Sequence, residues 1–291
     1  MKFNLQSISF QTKILLFSVT HGKMKFKILW SAWAIPTPRP FNDDWLSKLA
    51  REKWWKHIRN SSCFWLEDIA LLVDCPESIW ESANKENIEN IKNLFITHWH
   101  PDHAFWLRVV LESRYNFDLW KTEYPIDLYM PKQVYDDLKK VYPSIDFFVN
   151  EMWTAKLNFI EHGEKVQIEN ITVEAVWYQW AKSSTYWYKF SSNWKTLLYA
   201  PCDTISLEQD LSGLDVLVHE CWIFSYDIVK SEISFPDAID RIRKYKPKKT
   251  IFTHIEHVEI ERRWLDYLSE MKEKYSDVDF QFAYDGFEIV L

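Results

Sequence analysis

The chain has 291 residues, a formal net charge of −7 and four widely separated cysteines. The acidic balance argues against a nucleic-acid enzyme, which usually carries a basic patch. The cysteines form no C-x-x-C pair, which indicates a reducing compartment, the cytoplasm, and argues against a zinc ribbon. No apolar run approaches the roughly 20 residues that are needed to span a membrane.

Segments typical of strands and helices follow one another along the chain. The predicted strands are residues 25–31, 69–74, 93–97, 126–130, 157–160, 171–176, 185–190, 196–200, 216–219, 250–253, 279–283 and 287–290. The predicted helices are residues 43–56, 79–84, 104–112, 132–141, 236–244 and 260–273. Strands first alternate with helices, then cluster, then alternate again. This order predicts an α/β protein with mixed sheets.

The most informative feature is the heptapeptide Thr-His-Trp-His-Pro-Asp-His at residues 97–103. It lies between a predicted strand and a predicted helix, where side chains converge instead of alternating across a sheet. Neutral imidazole and carboxylate are the usual ligands of zinc and similar divalent ions. The spacing H-x-H-x-D-H therefore predicts a metal site. Its candidate ligands are His98, His100, Asp102 and His103.

This heptapeptide resembles the signature of the metallo-β-lactamase superfamily of hydrolases, and more narrowly the branch of the phosphoribosyl cyclic phosphate phosphodiesterase. The resemblance runs from about Lys25 to the C-terminus. Weaker anchors follow in order at residues 28–36, 71–74, 198–204, 252–257 and 283–289. The resemblance implies a four-layer αββα sandwich formed by residues 24–291. It also implies that residues 1–23 are an N-terminal extension.

The resemblance further implies a pair of divalent ions. The first ion would be held by His98, His100 and Asp203, and the second by Asp102, His103, Asp203 and His254. Asp203 follows the predicted strand 196–200 and matches the family's bridging carboxylate. His254 follows the predicted strand 250–253 and matches the last histidine ligand. Mixed histidine and aspartate sites suit several metals, and the predicted cofactors are two zinc or manganese ions.

Two positions depart from the family's pattern. Ala181 stands where the third imidazole of the first ion is expected. That ion site would then be weak, empty or completed by His219, Glu220 or solvent. Glu232 occupies the region of the family's proton-donating histidine, and it could donate a proton if its pKa were raised; a solvated surface carboxylate is the commoner role. We expect Asp74, which ends a predicted strand, to orient a metal-binding histidine.

The chain contains only 4 glycines but 17 tryptophans. At roughly 7% usage, about 20 glycines would be expected. Several tryptophans replace glycines of the family's pattern, and Trp194 follows Asn193 where an Asn-Gly hairpin turn is expected. We hypothesise that such tryptophans are encoded by UGA codons that the source reads as glycine. UGG codons at positions 30, 33, 106 and 194 would refute this.

The predicted function is that of a cytoplasmic metal-dependent hydrolase, a phosphodiesterase that cleaves a small cyclic phosphate or nucleotide-like ester by a metal-activated hydroxide. The candidate catalytic residues are Asp102, Asp203 and Glu232. The substrate class rests on the resemblance, because one fold hosts many functions. The alternatives are a transfer-RNA 3′-processing nuclease, a thioester or β-lactam hydrolase, and a metal-binding protein that has lost catalysis. The predicted partner is a small phosphoester, with no membrane or nucleic acid. The sequence leaves the oligomeric state open, with a homodimer as one option.

Overall fold

The structure is a computed structural model that describes residues 24–53, 57–77, 79–179, 184–207, 209–226, 232–264 and 266–291. Its strands are β1 (Lys25–Trp30), β2 (Cys63–Leu66), β3 (Leu71–Val73), β4 (Asn93–Phe95), β5 (Tyr115–Asn116), β6 (Lys121–Thr122), β7 (Ile126–Met130), β8 (Ala155–Phe159), β9 (Lys165–Ile168), β10 (Ile171–Gln179), β11 (Ser184–Ser192), β12 (Lys195–Ala200), β13 (Val216–Glu220), β14 (Lys249–Thr253), β15 (Phe280–Phe282) and β16 (Phe287–Val290). Its helices are α1 (Trp45–Lys53), α2 (Ile79–Lys85), α3 (Pro101–Ala104), α4 (Leu107–Glu112), α5 (Lys132–Val141), α6 (Ile145–Asn150), α7 (Phe235–Tyr245), α8 (His257–Glu261) and α9 (Tyr267–Lys274).

Fourteen of the strands form two seven-stranded mixed sheets. The strand order is β16-β1-β2-β3-β4-β7-β8 in the first sheet and β15-β14-β13-β12-β11-β10-β9 in the second. Each sheet has an antiparallel half and a parallel half; the parallel strands are β3, β4, β7 and β8 in one and β12 to β15 in the other. The carboxyl ends of neighbouring parallel strands lie at the same edge of a sheet, where α/β proteins place their sites.

Aromatic side chains join the two sheets face to face. Phe64 of β2 stacks on Tyr199 of β12 with ring centroids 4.6 Å apart, and Phe95 of β4 meets Tyr188 of β11 edge-on at 5.0 Å. Each such pair adds about 0.5–1.5 kcal/mol beyond the burial of its area. The Tyr188 hydroxyl also donates to the Ile96 carbonyl at 2.8 Å, directly beside the heptapeptide. The sheet packing therefore fixes the position of the strand ends in both sheets.

Helices cover the outer faces of the sheets and complete four layers. Phe235 of α7 packs against Phe252 of β14 and Phe280 of β15, with centroids 5.1 and 5.7 Å apart. Leu107 and Leu111 of α4 are fully buried in the core cluster that includes the first sheet. This arrangement confirms the predicted αββα fold class. Within the described residues, no helix has the length and apolar character that crossing a membrane requires.

Two predicted helices are each interrupted in the structure. The predicted helix 104–112 is divided into α3 and α4, because the backbone N–H of Trp106 donates to Cys75 at 3.1 Å instead of continuing a helical ladder. The predicted helix 260–273 is divided into α8 and α9 by a turn in which the N–H of Arg263 bonds to Ile260. Strands β2, β5, β6 and β9 and helix α6 were not predicted, since they are too short to show a clear period.

Three of the described tryptophans have left-handed backbone conformations. Trp120, Trp153 and Trp194 have positive φ angles of 52°, 57° and 67°, and their side chains are exposed. Trp194 is the second residue of the two-residue turn between β11 and β12, and Asn193 also has positive φ. Such turns favour Asn-Gly, since a left-handed conformation costs a side-chain-bearing residue about 1–2 kcal/mol. The backbone at these three positions is therefore one that glycine would adopt without strain.

We expect Trp194→Gly to raise the free energy of unfolding by about 1 kcal/mol, because the substitution removes left-handed strain and the lost side chain makes no buried contact. Urea denaturation measures this change. The matched control is Trp187→Gly: Trp187 is buried and its indole N–H donates to the Cys202 carbonyl at 2.9 Å. That variant should lose about 3–5 kcal/mol. A destabilised Trp194→Gly variant would contradict the strain argument.

Candidate metal centre

The carboxyl ends of parallel strands from both sheets deliver the candidate ligands to one place. His98 follows β4 of the first sheet, whereas Asp203 follows β12 and His254 follows β14 of the second. His98 and His254 are fully buried, as is His103 on α3, and Asp203 is nearly so. The heptapeptide and the two distant ligand candidates thus share one edge of the sandwich.

Three residues at these strand ends have left-handed backbone conformations. The φ angles are 65° at Asp74, 55° at Asp203 and 60° at His254. This region costs non-glycine residues free energy and is concentrated at functional sites, where the surrounding structure enforces it. Each of the three residues ends or follows a parallel strand. The backbone reverses there, and it presents the side chain to the centre instead of continuing the sheet.

Side chains that are far apart in sequence meet at Asp102. Its Oδ2 lies 3.4 Å from Nε2 of His103 and 3.5 Å from Nε2 of His254. On the other side of the cluster, Nε2 of His98 lies 3.0 Å from Nδ1 of His100. The rings of His98 and His103 are 4.1 Å apart between centroids, which joins the two groups. The structure therefore brings together the histidines and the aspartate of the heptapeptide with His254.

Unpartnered nitrogen atoms show that these residues fit a metal ion. Nε2 of His103 and Nδ1 of His254 have no hydrogen-bond partner among the described residues, although both side chains are completely buried. The 3.4 Å contact of His103 with Asp102 lacks hydrogen-bond geometry. A buried polar atom without a partner costs about 1–3 kcal/mol. A divalent ion would remove that cost, and imidazole with carboxylate is the donor set that zinc and similar ions take.

Asp74 fixes the orientation of His103. Its carboxylate accepts hydrogen bonds from Nδ1 of His103 at 2.8 Å and from the backbone N–H of Thr97 at 2.8 Å. With Nδ1 engaged in this way, Nε2 of His103 faces the cluster. The Thr97 hydroxyl lies 2.9 Å both from Asp74 and from Nδ1 of His98. The predicted contact of Asp74 with a histidine of the cluster is confirmed.

The histidines of the cluster differ in the direction in which their pKa is shifted. Burial lowers the pKa of His98 and of His254, which leaves both imidazoles neutral near pH 7. Burial also opposes a charge on His103, but the carboxylates of Asp102 and Asp74 outweigh it and raise the pKa of His103 to about 10. Metal binding must therefore displace a proton from His103.

The loop that carries Asp203 is held from two sides. The hydroxyl of Thr185 donates to Oδ2 of Asp203. The guanidinium of Arg241 on α7 donates to the carbonyls of Thr204 and Ile205, the latter at 3.1 Å. Burial lowers the pKa of His254, and Asp203 is close enough to oppose part of that shift. Asp203 is therefore held in electrostatic contact with the cluster.

Glu232 is half-buried and lies close enough to Glu220 and Asp203 for their charges to act on it. Burial raises the pKa of Glu232 to about 9, and the charges of Glu220 and Asp203 add to this shift. Burial likewise raises the pKa of Glu220 to about 7, although Thr204 donates two hydrogen bonds to it. Glu232 therefore carries a proton at neutral pH in the metal-free chain, in contrast to the solvated role that is common for glutamate.

Of the three options for the missing third imidazole, which were His219, Glu220 and solvent, His219 has other partners in the structure. Nδ1 of His219 lies 2.7 Å from the Glu220 carbonyl, and Nε2 lies 3.2 Å from Nη1 of Arg241. Both ring nitrogens are engaged, and burial next to the Arg241 charge lowers the pKa of His219 to about 3. His219 therefore supports the Asp203 loop instead of binding metal. Ala181, where the imidazole is missing, lies outside the described residues.

Sequence reasoning missed Cys202. Its Sγ lies within 4.8 Å of ligand atoms of His98 and His100, and it has the same relation to His103 and His254. The sequence offered one signal, since Cys202 directly precedes Asp203. Its side chain is buried between the two groups of histidines.

Comparison with known proteins identifies the family. Residues 50–234 match the family model of the Anti-Pycsar protein Apyc1, which covers more than half of the chain. The chain belongs to the Apyc1 family. This is a phosphodiesterase-type family of the metallo-β-lactamase superfamily, as the heptapeptide predicted.

Solved structures share the fold of this Apyc1-family chain. A diphosphatase from the PhnP family has a TM-score of 0.70 and 18% identity, with 93% of this chain and 98% of that chain covered. Zinc-bound PqqB from Methylobacterium extorquens has a TM-score of 0.73 and 18% identity, with 92% and 100% covered. The short form of human tRNase Z has a TM-score of 0.59 and 17% identity, with 91% and 98% covered.

A curated relative matches part of the chain. Ribonuclease Z from Picrophilus torridus is 29% identical over 113 residues, which are 38% of this chain and 35% of that protein. The chain thus aligns with about a third of this relative's length.

Removal of metal should destabilise this Apyc1-family protein. With free zinc at 100 times its dissociation constant, bound metal adds about 2.7 kcal/mol to the free energy of unfolding, and a chelator should remove it. Thermal denaturation with and without chelator measures the change. His254→Ala should abolish most of the zinc effect, whereas His162→Ala, at an exposed histidine, should retain it. Equal responses of the two variants would contradict this assignment of the centre.

Proposed function

We propose that this chain is a metal-dependent phosphodiesterase that hydrolyses a small cyclic phosphate or nucleotide-like ester. The observation that carries the proposal is the convergence of buried imidazoles and carboxylates from both sheets. Membership of the Apyc1 family supports a phosphodiester substrate. The net charge of −7 favours a small ester over a long polyanion, which is usually bound by a basic surface.

We assign two roles to these residues: most would hold or orient the metal ions, and one would transfer a proton. Divalent ions at this centre would supply polarisation of the phosphoryl group and acidification of water. Asp203, whose Oδ2 accepts a hydrogen bond from the Thr185 hydroxyl, would be a ligand of the centre and would orient the attacking water. Asp102 lies between His103 and His254 and fixes their spacing. Asp74 keeps Nε2 of His103 directed at the centre.

Glu232 would protonate the leaving oxygen. As the phosphorus–oxygen ester bond breaks, the departing alkoxide needs a proton, and a carboxylic acid with a raised pKa can supply it. After turnover, Glu232 is left as a carboxylate beside Glu220 and Asp203 and recovers its proton from solvent. The repulsion between these carboxylates, which contributes to the raised pKa, favours that recovery.

We expect Glu232→Gln to slow hydrolysis of an ester with an alkyl alcohol leaving group about 10²–10⁴-fold, since the amide cannot donate the proton. An ester with a nitrophenolate leaving group needs little protonation and should be slowed much less. Glutamine keeps the size of the side chain, so the two substrates separate proton transfer from damage to the site. Equal losses for both substrates would overturn the proton-donor role.

The rate of the wild-type enzyme should fall as pH rises through the pKa of Glu232, because the acid must be protonated to act. That pKa is about 9 in the metal-free chain, and positive ions nearby would lower it. The profile of kcat/KM against pH should therefore have a basic limb that Glu232→Gln lacks. A basic limb that persists in the variant would contradict the assignment.

The substrate class is tested by supplying the zinc- or manganese-loaded protein with 3′,5′-cyclic mononucleotides, phosphoribosyl cyclic phosphate and precursor transfer RNA. The proposal expects hydrolysis of a cyclic phosphate and loss of at least about 10³-fold in Asp203→Asn. The similarity to ribonuclease Z favours the nuclease as the second candidate. Cleavage of precursor transfer RNA alone would establish it, and stoichiometric metal binding without turnover would indicate a metal-binding protein.

A further inference from the structure

We propose that Cys202 is a metal ligand, whose thiolate completes the centre and makes it selective for zinc over manganese. The inference rests on the metal centre of the proposed function but not on its substrate. It assigns a donor for the first ion, which the heptapeptide and Asp203 leave without a third imidazole.

The position of Cys202 is the first observation. Its Sγ lies within 4.8 Å of ligand atoms of His98 and His100, and likewise of His103 and His254. Donors around a tetrahedral zinc ion are about 3.5 Å apart, given zinc–sulfur and zinc–nitrogen distances of about 2.3 and 2.0 Å. Side-chain rotations that move the ligand atoms by about 1 Å would bring either group to the spacing of zinc donors. Among the described residues, Cys202 is common to both groups.

The unpartnered histidine nitrogens are the second, independent observation. Nε2 of His103 and Nδ1 of His254 are buried without hydrogen-bond partners among the described residues, and both histidines form a group with Cys202. Because Asp74 holds Nδ1 of His103, Nε2 is the ring nitrogen of His103 that is open to a ligand, and His103 belongs to a group with Cys202. The thiol therefore lies near a buried polar atom that lacks a partner among the described residues.

The two side-chain candidates for the missing donor have other hydrogen-bond partners, Glu220 through one of its two oxygens. Both nitrogens of His219 have partners. Oε1 of Glu220 accepts from the backbone N–H and the hydroxyl of Thr204. The Cys202 thiol has no hydrogen-bond partner among the described residues, and its Sγ lies near both groups of histidines. On binding, the thiol proton passes to solvent and the sulfur donates an electron pair to the ion.

A thiolate changes which metal the centre prefers. Soft sulfur ligands favour zinc, whereas oxygen-rich sites suit manganese and magnesium. A centre with Cys202 among its ligands should therefore retain zinc in the presence of excess manganese. The other cysteines provide contrast: Cys63 donates to the Asp74 carbonyl at 3.2 Å, and Cys221 lies outside both groups of ligand atoms.

The test is cobalt substitution of the full-length, metal-free protein. Wild type and the matched control Cys221→Ser should show a near-ultraviolet charge-transfer band from thiolate to cobalt, and Cys202→Ser should lack it. The ratio of zinc to manganese affinity should fall at least about tenfold in Cys202→Ser. A cobalt-loaded wild type without the band, or a Cys202→Ser variant that keeps it, would overturn the proposal.

A measurement on the wild type alone covers the case in which Cys202→Ser fails to fold. X-ray absorption at the zinc edge should detect a sulfur neighbour at about 2.3 Å. A shell of nitrogen and oxygen only, at about 2.0–2.2 Å, would overturn the proposal. Neither spectroscopic readout requires turnover. A protein that shows sulfur ligation but hydrolyses no phosphodiester would retain this inference while the proposed function fails.

Discussion

The candidate centre depends on the packing of two sheets whose parallel halves end at the same edge. His98 is fixed by the first sheet, and Asp203 and His254 by the second, so neither sheet carries the site alone. The Tyr188 hydroxyl and the Tyr186 N–H of β11 bond to the carbonyls of Ile96 and Thr97, next to the heptapeptide. These bonds hold the register of the sheets where the ligands must meet. The buried imidazoles then face one another at distances that a metal ion can bridge.

The centre contains two features that are unfavourable in an ordinary protein core, namely left-handed backbone and buried charge. The side chains must leave the strand direction, and three left-handed residues accomplish this turn at the cost of backbone strain. The buried carboxylate of Asp102 also needs a positive partner; a protonated His103 provides it in the metal-free chain, and a bound cation would take that place. The strain and the buried charge are both expected at a site that is completed by a cation.

The sequence proposed four candidate ligands through the heptapeptide and two more, Asp203 and His254, through the ends of the predicted strands 196–200 and 250–253. The structure brings His254 to Asp102 of the heptapeptide and the charge of Asp203 within reach of His254. The engagement of His219 could not be predicted, because its partner Arg241 lies 22 residues away on α7. Cys202 was missed because nothing in the sequence shows that its sulfur turns toward the histidines. The break between α3 and α4 likewise depends on a distant carbonyl, that of Cys75.

The central claim is that the two groups of buried ligands hold metal ions. Anomalous diffraction at the zinc edge, from crystals grown with zinc, tests it most directly. The account predicts two anomalous peaks, one against His98 and His100 and the other against Asp102, His103 and His254. Zinc bound only at surface carboxylates or at the exposed His162, with no peak between the buried histidines, would contradict it.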